Sequence, residues 1–266
     1  MVTDRLKTQR APDHASFYNT DDPRRWGRHT VPIPLPDDIR NAPGIALEVG
    51  CGNGPRELPN AVSLLADVSL PALRRLPRRG RVQCDAQALP LRSESVDTYL
   101  TFATLEHVPD PGRALEEMHR VLRPGGIAFL APAWNCRSWT ATGVTIRPYR
   151  ELPWRLRALK ASLLLRERLW WRAVAVAPRR LLRELRTLGG KPARLDFRGL
   201  TPNLDEYLCS DSDAWASIDP HAAITFLRTR GYRIRSGQGL LARLLVRHAP
   251  VVGQKPPRSR LRSAET

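Results

Sequence analysis

The stretch Glu48-Val49-Gly50-Cys51-Gly52-Asn53-Gly54 decides the fold of this 266-residue chain. It directly follows a short apolar run, residues 45–49, which predicts a buried β-strand. Glycines in the turn after a strand leave the backbone amides bare and let the chain turn tightly, so that a ligand can lie against the main chain. The sequence therefore predicts a ligand-binding loop at the carboxyl end of a sheet.

Downstream of this loop, short apolar runs alternate with helical patterns as far as residue 131. Such alternation is typical of βα units, and we expect an α/β fold with a Rossmann-like parallel sheet. Pro111 opens one of the intervening helices, because proline is favoured in the first turn, and Pro124-Gly125-Gly126 ends it. The predicted strands are residues 45–49, 63–67, 82–84, 96–102 and 127–131.

Two further acids follow at the ends of the next two predicted strands. Asp67 comes about twenty residues after Glu48, where an acid can hold a ribose diol through two charge-assisted hydrogen bonds. Asp85 follows the third strand and would lie beside the amino group of an adenine. Since strand ends of a parallel sheet meet at one edge, the three loops converge on a single nucleoside.

With these motifs in order, the chain resembles the class I S-adenosylmethionine-dependent methyltransferases. The resemblance is to the broad subgroup that includes ubiquinone and menaquinone C-methyltransferases and many sugar and secondary-metabolite methyltransferases. It covers about ninety residues and is specific for fold and cofactor rather than for substrate. The segments that carry it are Leu47 to Gly54, Asp67-Val68-Ser69, Asp85-Ala86, Leu105-Glu106-His107-Val108 and Val121 to Gly126.

The resemblance implies a role for each matched residue in holding S-adenosylmethionine. Glu48 and the loop residues Gly50, Cys51 and Gly52 would hold the methionine part. The remaining contacts would be Asp67 and Val68 to the ribose, Asp85 and Ala86 to the adenine, and Ala103 and Thr104 through their backbone beside the sulfonium. One departure from the family pattern is the gap of twelve residues between Gly54 and Asp67, which contains Pro55 and Pro59 and predicts a short helix or a loop.

His107 is the candidate catalytic residue. Methyl transfer is an in-line displacement, in which the protein aligns the acceptor and, where necessary, removes its proton. His107 follows the fourth strand, close to the expected sulfonium. The alternative is that this histidine only lines the cofactor pocket.

Residues that follow the fifth strand are candidates for acceptor binding. Aromatic side chains there would stack on a sugar or a ring. A later polar group, Asp211, Asp213, Asp219 and His221, would bind a polyol or Mg²⁺, or would only cap a helix. We expect no metal. The candidate substrate-binding residues are Trp134, Asn135, Trp139, Tyr207 and His221.

Two routes of base methylation are disfavoured. Cytosine C5-methylation needs a thiolate nucleophile near the site, and residues 101–107 contain no cysteine. The Asn/Asp-Pro-Pro-Tyr turn that serves exocyclic amines is also missing from this segment. The four cysteines of the chain, which form no CxxC pair, are expected to be free thiols.

The net charge of +17 is concentrated in one segment. Residues 150–191 hold twelve Lys or Arg against three Glu and predict two amphipathic helices, one of them marked by Leu181, Leu185 and Leu188. This insertion is interpreted as a lid, a membrane contact or mere arginine bias. The predicted organisation is an N-terminal arm (1–43), the cofactor-binding core (44–149), the basic helical insertion (150–191), the C-terminal part of the core (192–252) and a disordered tail (253–266).

The functional expectation is methylation of a small molecule or lipid-linked metabolite, with a sugar or phenol-like hydroxyl as acceptor. The alternatives are an RNA methyltransferase that grips phosphates through its Arg-rich insertion, and a methyltransferase-like protein without catalysis. The N-terminus shows no secretory signal, so we expect a cytoplasmic protein, peripheral to an anionic membrane if the insertion binds lipid. Nucleic acid is the less favoured partner.

Overall fold

The computed structural model describes residues 14–25, 33–77, 80–166, 172–205, 211–237 and 239–257. None of the helices in these segments combines the length and low polarity that a bilayer span requires. The strands are β1 (Gly44–Val49), β2 (Ala61–Asp67), β3 (Arg81–Gln83), β4 (Val96–Phe102), β5 (Leu122–Ala131), β6 (Phe197–Gly199), β7 (Ala216–Ile218), β8 (Arg233–Ile234) and β9 (Val251–Gln254). The helices are α1 (His14–Tyr18), α2 (Asp37–Arg40), α3 (Leu70–Arg74), α4 (Pro111–Val121), α5 (Trp154–Arg166), α6 (Ala177–Arg186), α7 (Pro220–Arg228) and α8 (Leu240–Leu245).

Seven strands form one mixed sheet in the order β3-β2-β1-β4-β5-β9-β8. Strands β1 to β5 are mutually parallel, and β9 runs antiparallel to both β5 and β8. The strand order reverses between β1 and β4, which leaves a crevice at their carboxyl ends where such sheets bind ligands. The predicted Rossmann-like α/β fold is confirmed.

The main core packs α4 and α7 against one face of the sheet. Leu115 and Met118 of α4 are completely buried, and Asp110 caps the helix by accepting a hydrogen bond from the amide of Arg113. The predicted loop after the first strand is also present, since no helix lies between Val49 and Ala61. Helix α4 ends at Val121, earlier than predicted, because β5 already pairs with β4 at Leu122.

The C-terminal strands differ from the expectation. The apolar run at residues 240–248 predicts a strand, but residues 240–245 form α8, since leucines at this spacing also suit a helix. The strand comes later, as β9. Gly253 and Gln254, expected in a disordered tail, pair with Ala128 and Ile127 of β5. Lys255 next to them is buried, and its Nζ donates hydrogen bonds to two carbonyl oxygens at 2.7 and 2.8 Å.

The basic insertion contains the two expected helices, α5 and α6. Leu156, Leu159 and Leu163 are half-buried on α5. Helix α6 has the opposite orientation to that of an ordinary surface helix, because Arg180 and Glu184 are its buried residues while its leucines are exposed. The segment 167–171, which includes Trp170, lies outside the described residues.

Candidate active site

The glycine loop is held against the end of β2. The amides of Gly50 and Cys51 donate to the carbonyl oxygen of Ala66 at 2.8 and 3.2 Å, and the amide of Gly52 donates to Oδ2 of Asp67 at 2.8 Å. Gly50 and Gly52 both have positive φ angles, 72° and 51°, which glycine adopts without a steric cost. The loop geometry that the sequence motif predicts is therefore built by these glycines.

Gly50 also permits a close approach between two strand ends. A Cβ built on Gly50 would lie 2.1 Å from Oγ1 of Thr104, which itself donates a 2.7 Å hydrogen bond to the carbonyl oxygen of Phe102. Gly190 has nearly the same φ, 71°, but a Cβ built there would have no heavy atom within 4 Å. An alanine at either glycine would have the same backbone strain, but only an alanine at Gly50 would also clash with a neighbouring side chain.

We expect Gly50→Ala to abolish cofactor binding and to lower the melting temperature more than Gly190→Ala does. The control should cost only the left-handed strain of a non-glycine residue, about 1–2 kcal/mol. Thermal melts and a cofactor titration of both variants check this. Equal melting temperatures together with normal cofactor binding in Gly50→Ala would contradict the steric account.

Glu48 and Asp67 place two buried carboxylates beside this loop. Oε2 of Glu48 accepts the amide of Arg56 at 2.6 Å, and Oδ1 of Asp67 accepts the amide of Ser69 at 2.8 Å. Burial raises the pKa of Asp67, although the backbone amides that it accepts oppose the shift. A carboxylate is the kind of group that accepts hydrogen bonds from a ligand hydroxyl or ammonium group.

The end of β4 forms the opposite wall. Ala103 has a φ of 43°, which is uncommon for a residue with a side chain and is the kind of local strain found at functional sites. A short 3₁₀ turn, Leu105–His107, follows at once and carries His107 to the cavity. The carbonyl of Glu106 anchors this turn by accepting the amide of Trp215 at 2.8 Å.

One cavity joins these elements. It lies at the carboxyl ends of β1, β2 and β4, and the arm helix α1 contributes to its wall. Its lining includes all the predicted cofactor residues except Asp85, together with His107. The lining residues are His14, Tyr18, Arg25, Glu48, Val49, Gly50, Cys51, Gly52, Gly54, Arg56, Asp67, Val68, Cys84, Ala86, Phe102, Ala103, Thr104, His107, Val108, Asp211 and Asp213.

Asp85 is the exception among the predicted cofactor residues. Its Oδ1 accepts the amide of Gln87 at 2.9 Å, and both its oxygens receive the side-chain amide of Gln87 at 3.0–3.1 Å. The carboxylate therefore stabilises its own turn, while Ala86 lines the cavity. A short-range turn of this kind is common for Asp and explains the difference.

His107 lies in a hydrogen-bonded group with Tyr18 and Asp213. Its Nδ1 is 3.0 Å from the Tyr18 hydroxyl and 3.6 Å from Oδ1 of Asp213. The Tyr18 hydroxyl donates its proton to Oδ2 of Asp213 at 3.0 Å. Since that hydroxyl has one proton, its oxygen accepts from Nδ1–H of His107, which leaves Nε2 as the basic nitrogen of the neutral ring.

The surroundings of His107 favour its protonated form. Burial opposes the charge, but the carboxylates of Asp213, Glu106 and Asp211 outweigh this effect and raise the pKa of His107 above its usual value of 6.5. Burial and the neighbouring Asp213 also raise the pKa of Tyr18, so Tyr18 remains a neutral donor. The group is therefore a histidine held in one tautomer by a tyrosine and a carboxylate.

Asp213→Asn should lower the pKa of His107, because this substitution removes the largest of the charges that stabilise its imidazolium form. The protonated fraction should then disappear at a lower pH than in the wild type. An NMR titration of the imidazole Cε1–H resonance measures this directly. Asp38→Asn, on an exposed ion pair with Arg235, is the control. An unchanged His107 pKa in Asp213→Asn would refute the proposed coupling.

Glu106 brings a further buried carboxylate to the same place. Its Oε1 accepts the amide of Ala133 at 2.9 Å, and its Oε2 has no hydrogen-bond partner among the described residues. Ligand atoms of Glu106, His107 and Asp211 lie within 4.8 Å of one another, a spacing that would suit a divalent cation. The expectation that no metal takes part stays a prediction.

The N-terminal arm contributes residues that the sequence did not point to. Helix α1 places Tyr18 beside the cavity, and Asn19 fastens the arm to the first turn of α3 by accepting the amide of Leu70 at 3.0 Å. Residues 17–36 were expected to be irregular, since they have no sustained period. The contact between Tyr18 and Asp213 joins residues 195 positions apart, and no local pattern could reveal it.

The predicted substrate-binding residues that the structure describes, Trp134, Asn135, Trp139 and His221, do not line the cavity. Trp134 is a core residue, 5% exposed, and its Nε1 donates to the carbonyl of Ala249. The backbone amide of Asn135 donates to the carbonyl oxygen of Ile218 at 2.8 Å. The guanidinium group of Arg137 lies over the ring of Trp139. The turn after β5 packs on the C-terminal part of the fold and does not face the cavity. Tyr207 lies outside the described residues.

His221 belongs to a different cluster. It is fully buried, and its Nε2 lies 3.2 Å from Oε1 of Glu184 on α6. Burial lowers the pKa of His221 to about 4. Asp219 caps α7 by accepting the amide of His221 at 3.1 Å, as the capping alternative expected. Of the predicted polar group, therefore, Asp211 and Asp213 reach the cavity, whereas Asp219 and His221 do not.

The cavity suits S-adenosylmethionine. The bare backbone at Gly50 and Gly52 is a cradle that a Cβ at Gly50 would fill. The carboxylates of Glu48 and Asp67 fit the ammonium and hydroxyl groups of the cofactor, and the partly apolar wall of Cys84 and Ala86 fits a purine.

Known proteins are similar to parts of this chain. A family model described as a methyltransferase domain matches residues 47–130. An uncharacterized methyltransferase of Mycobacteroides abscessus is 49% identical over 55 residues, which is 21% of each chain. A probable S-adenosylmethionine-dependent methyltransferase of Mycolicibacterium smegmatis is 30% identical over 120 residues, 40% of this chain and 42% of the relative. The chain thus spans less than half the length of these relatives.

A SAM-dependent methyltransferase from Aquifex aeolicus is a similar solved structure. It is 18% identical, aligns with 35% of this chain and 58% of its own, and gives a TM-score of 0.31. Membership of the ubiquinone and menaquinone C-methyltransferase subgroup stays a prediction. Residues 47–130 thus match a methyltransferase domain, and the sheet order and the glycine loop agree with this match.

Proposed function

We propose that this protein transfers a methyl group from S-adenosylmethionine to a hydroxyl group of a small-molecule or lipid-linked metabolite, of the sugar or phenol type. The observation that carries the proposal is the position of His107. It shares one cavity with the glycine loop and the two cofactor acids, and its ring is fixed by Tyr18 and Asp213. A hydroxyl acceptor needs a base, whereas a neutral amine acceptor does not.

The residues of the cavity have two roles, cofactor binding and proton transfer. Glu48, Asp67 and the backbone of Gly50 to Gly52 bind the cofactor and fix its orientation. When bound, S-adenosylmethionine supplies an electrophilic methyl group whose leaving group is already activated by its charge. His107 accepts the proton of the acceptor hydroxyl at Nε2, and Asp213 with Tyr18 stabilises the imidazolium ion that results.

The carboxylates near His107 also influence which acceptor the cavity favours. Asp211 and Asp213 line the cavity near His107, so this part of its wall carries carboxylates although the net charge of the chain is +17. A phosphate placed beside these groups would be repelled, and this speaks against an RNA acceptor. The polar side chains instead suit a neutral, hydroxyl-rich molecule.

The test is methyl transfer from labelled S-adenosylmethionine to a fractionated cell extract. We expect the label in the small-molecule or lipid fraction, in a product whose methyl group is bound to oxygen. Label in the RNA fraction would favour the RNA alternative. Tight cofactor binding with no labelled product in any fraction would favour the non-catalytic alternative. The comparison variant is His107→Ala, which should form the labelled product about 100-fold more slowly.

A further inference from the structure

Helix α6 turns an apolar surface toward solvent. Three leucines of the helix and one just beyond its end are exposed. They are Leu181, Leu182, Leu185 and Leu188, with exposed fractions of 42, 53, 53 and 80%. Leu181, Leu185 and Leu188 follow one another at four and three residues and form a single stripe. A surface helix normally buries such a stripe and exposes its charges, and here the two faces are exchanged.

Arg180 fixes this orientation. Its side chain is only 1% exposed and forms a two-pronged ion pair with Asp219, at 2.6 and 3.2 Å. Its Nη1 donates further hydrogen bonds to the carbonyl oxygens of Leu244 and Val246, both at 2.8 Å. Rotating α6 to bury its leucines would break all of these bonds.

Glu184 fixes the same face one turn later. Its carboxylate contacts Arg228 of α7, Nε of Arg243 at 3.0 Å and Nε2 of His221 at 3.2 Å. A buried carboxylate that lost these partners would be strongly destabilising. The charged face of α6 is therefore an integral part of the domain, and the leucine stripe is held outward.

Helix α8 extends the exposed surface. It contacts α6 through Arg180 and Glu184, and Leu240, Leu241 and Leu245 are 47, 73 and 56% exposed. The leucine face is defined here by the exposed leucines of the two helices. Its members are Leu181, Leu182, Leu185, Leu188, Leu240, Leu241 and Leu245.

The charged side chains that are exposed in the segments forming this face are all basic. In residues 177–191 and 239–250 the one acidic residue is Glu184, which is buried in the ion-pair cluster. Arg179, Arg186, Lys191 and Arg247 are exposed, and Arg179 and Arg186 flank Leu182 on the helix surface. An apolar stripe between cations complements an anionic surface. It would repel a second copy of this strongly basic chain.

We propose that the leucine face docks this protein onto an anionic lipid bilayer. The leucines enter the boundary between headgroups and acyl chains, and the flanking Arg and Lys side chains lie near the lipid phosphates. The sequence alone suggests a membrane contact over residues 153–188, with the Trp and Leu residues of the first insertion helix. We place the contact on α6 and α8 and not on the first insertion helix, because the exposed leucines lie on α6 and α8. This docking does not depend on the methyl-transfer chemistry.

Sedimentation with vesicles tests the proposal. The full chain is mixed with vesicles of phosphatidylglycerol and phosphatidylcholine, or of phosphatidylcholine alone, at low and high salt. We expect binding to the anionic vesicles only, weakened by salt. The triple variant Leu181→Ser, Leu185→Ser, Leu241→Ser should bind at least about tenfold more weakly than the wild type, because it removes apolar surface from the contact.

The control is the double variant Val62→Ser, Ile146→Ser, which removes apolar side chains of similar exposure elsewhere, 68 and 55%. It should sediment like the wild type. Thermal melts must show that the triple variant is folded. Wild-type protein that stays in the supernatant, or a triple variant that sediments equally, would overturn the proposal. A wild-type dimer in light scattering that the triple variant loses would assign the face to a second copy instead.

Discussion

Replacing His107 with alanine should lower kcat by about 100-fold, the usual size of a general-base contribution, while cofactor affinity changes little. The expectation follows from the group with Tyr18 and Asp213, which holds the ring in one tautomer without placing it among the groups that hold the cofactor. The measurement is steady-state kinetics on the acceptor found by labelling, with a cofactor titration of the same variant.

His248→Ala is the matched control, since His248 is exposed and does not line the cavity. It should retain wild-type kcat. If His107→Ala keeps full kcat, or loses cofactor affinity in proportion to kcat, the residue only lines the pocket and the general-base assignment is wrong.

Replacing Asp67 with alanine should weaken S-adenosylmethionine binding by about 10- to 100-fold. Hydrogen bonds to a charged group each contribute about 1.5–3 kcal/mol, and about 1.4 kcal/mol corresponds to tenfold in affinity. Asp67 also accepts the amides of Gly52 and Ser69, so its loss loosens the glycine loop as well. Calorimetric titration of a variant shown to be folded measures the effect.

Two further variants sharpen this prediction. Asp67→Asn keeps an acceptor for the loop amides but removes the charge, and it should fall between wild type and alanine. Asp85→Ala should have a smaller effect than Asp67→Ala, because Asp85 is engaged with Gln87 and does not line the cavity. Equal losses in both alanine variants would contradict the distinction that the structure draws between these acids.

The sequence was sufficient to predict the sheet and the floor of the cavity. Glu48 and Asp67 lie at the ends of β1 and β2, and Ala86 and His107 follow β3 and β4. The carboxyl ends of such parallel strands meet at one edge of the sheet. Order along the chain therefore translates into proximity in space. Pro55 and Pro59 predicted a short helix or a loop between β1 and β2, and the structure has a loop there.

Long-range contacts were beyond such reasoning. Tyr18 belongs to the N-terminal arm and Asp213 to the C-terminal part of the core, and both contact His107. Only the packing of α1 beside the cavity brings them together. Trp134 also follows a strand, as the predicted site residues do. Its turn folds back on the core, because its indole donates to Ala249. Position after a strand indicates an edge of the sheet but not the direction of the side chain.

Helix α6 illustrates a second limit. Its leucine spacing was sufficient to predict an amphipathic helix, but periodicity does not say which face is buried. Burial is decided by Asp219 and Arg228 on α7, whose charges pair with Arg180 and Glu184. Local patterns favour burial of the apolar face, and here a cluster of ion pairs reverses that preference.

The central claim is that the cavity at the ends of β1, β2 and β4 binds S-adenosylmethionine. Calorimetric titration of the wild-type protein with S-adenosylmethionine, and separately with its demethylated product S-adenosylhomocysteine, tests it most directly. We expect saturable binding of both compounds at a single site, with each compound displacing the other. The absence of saturable heat for either compound at millimolar concentration would contradict the account.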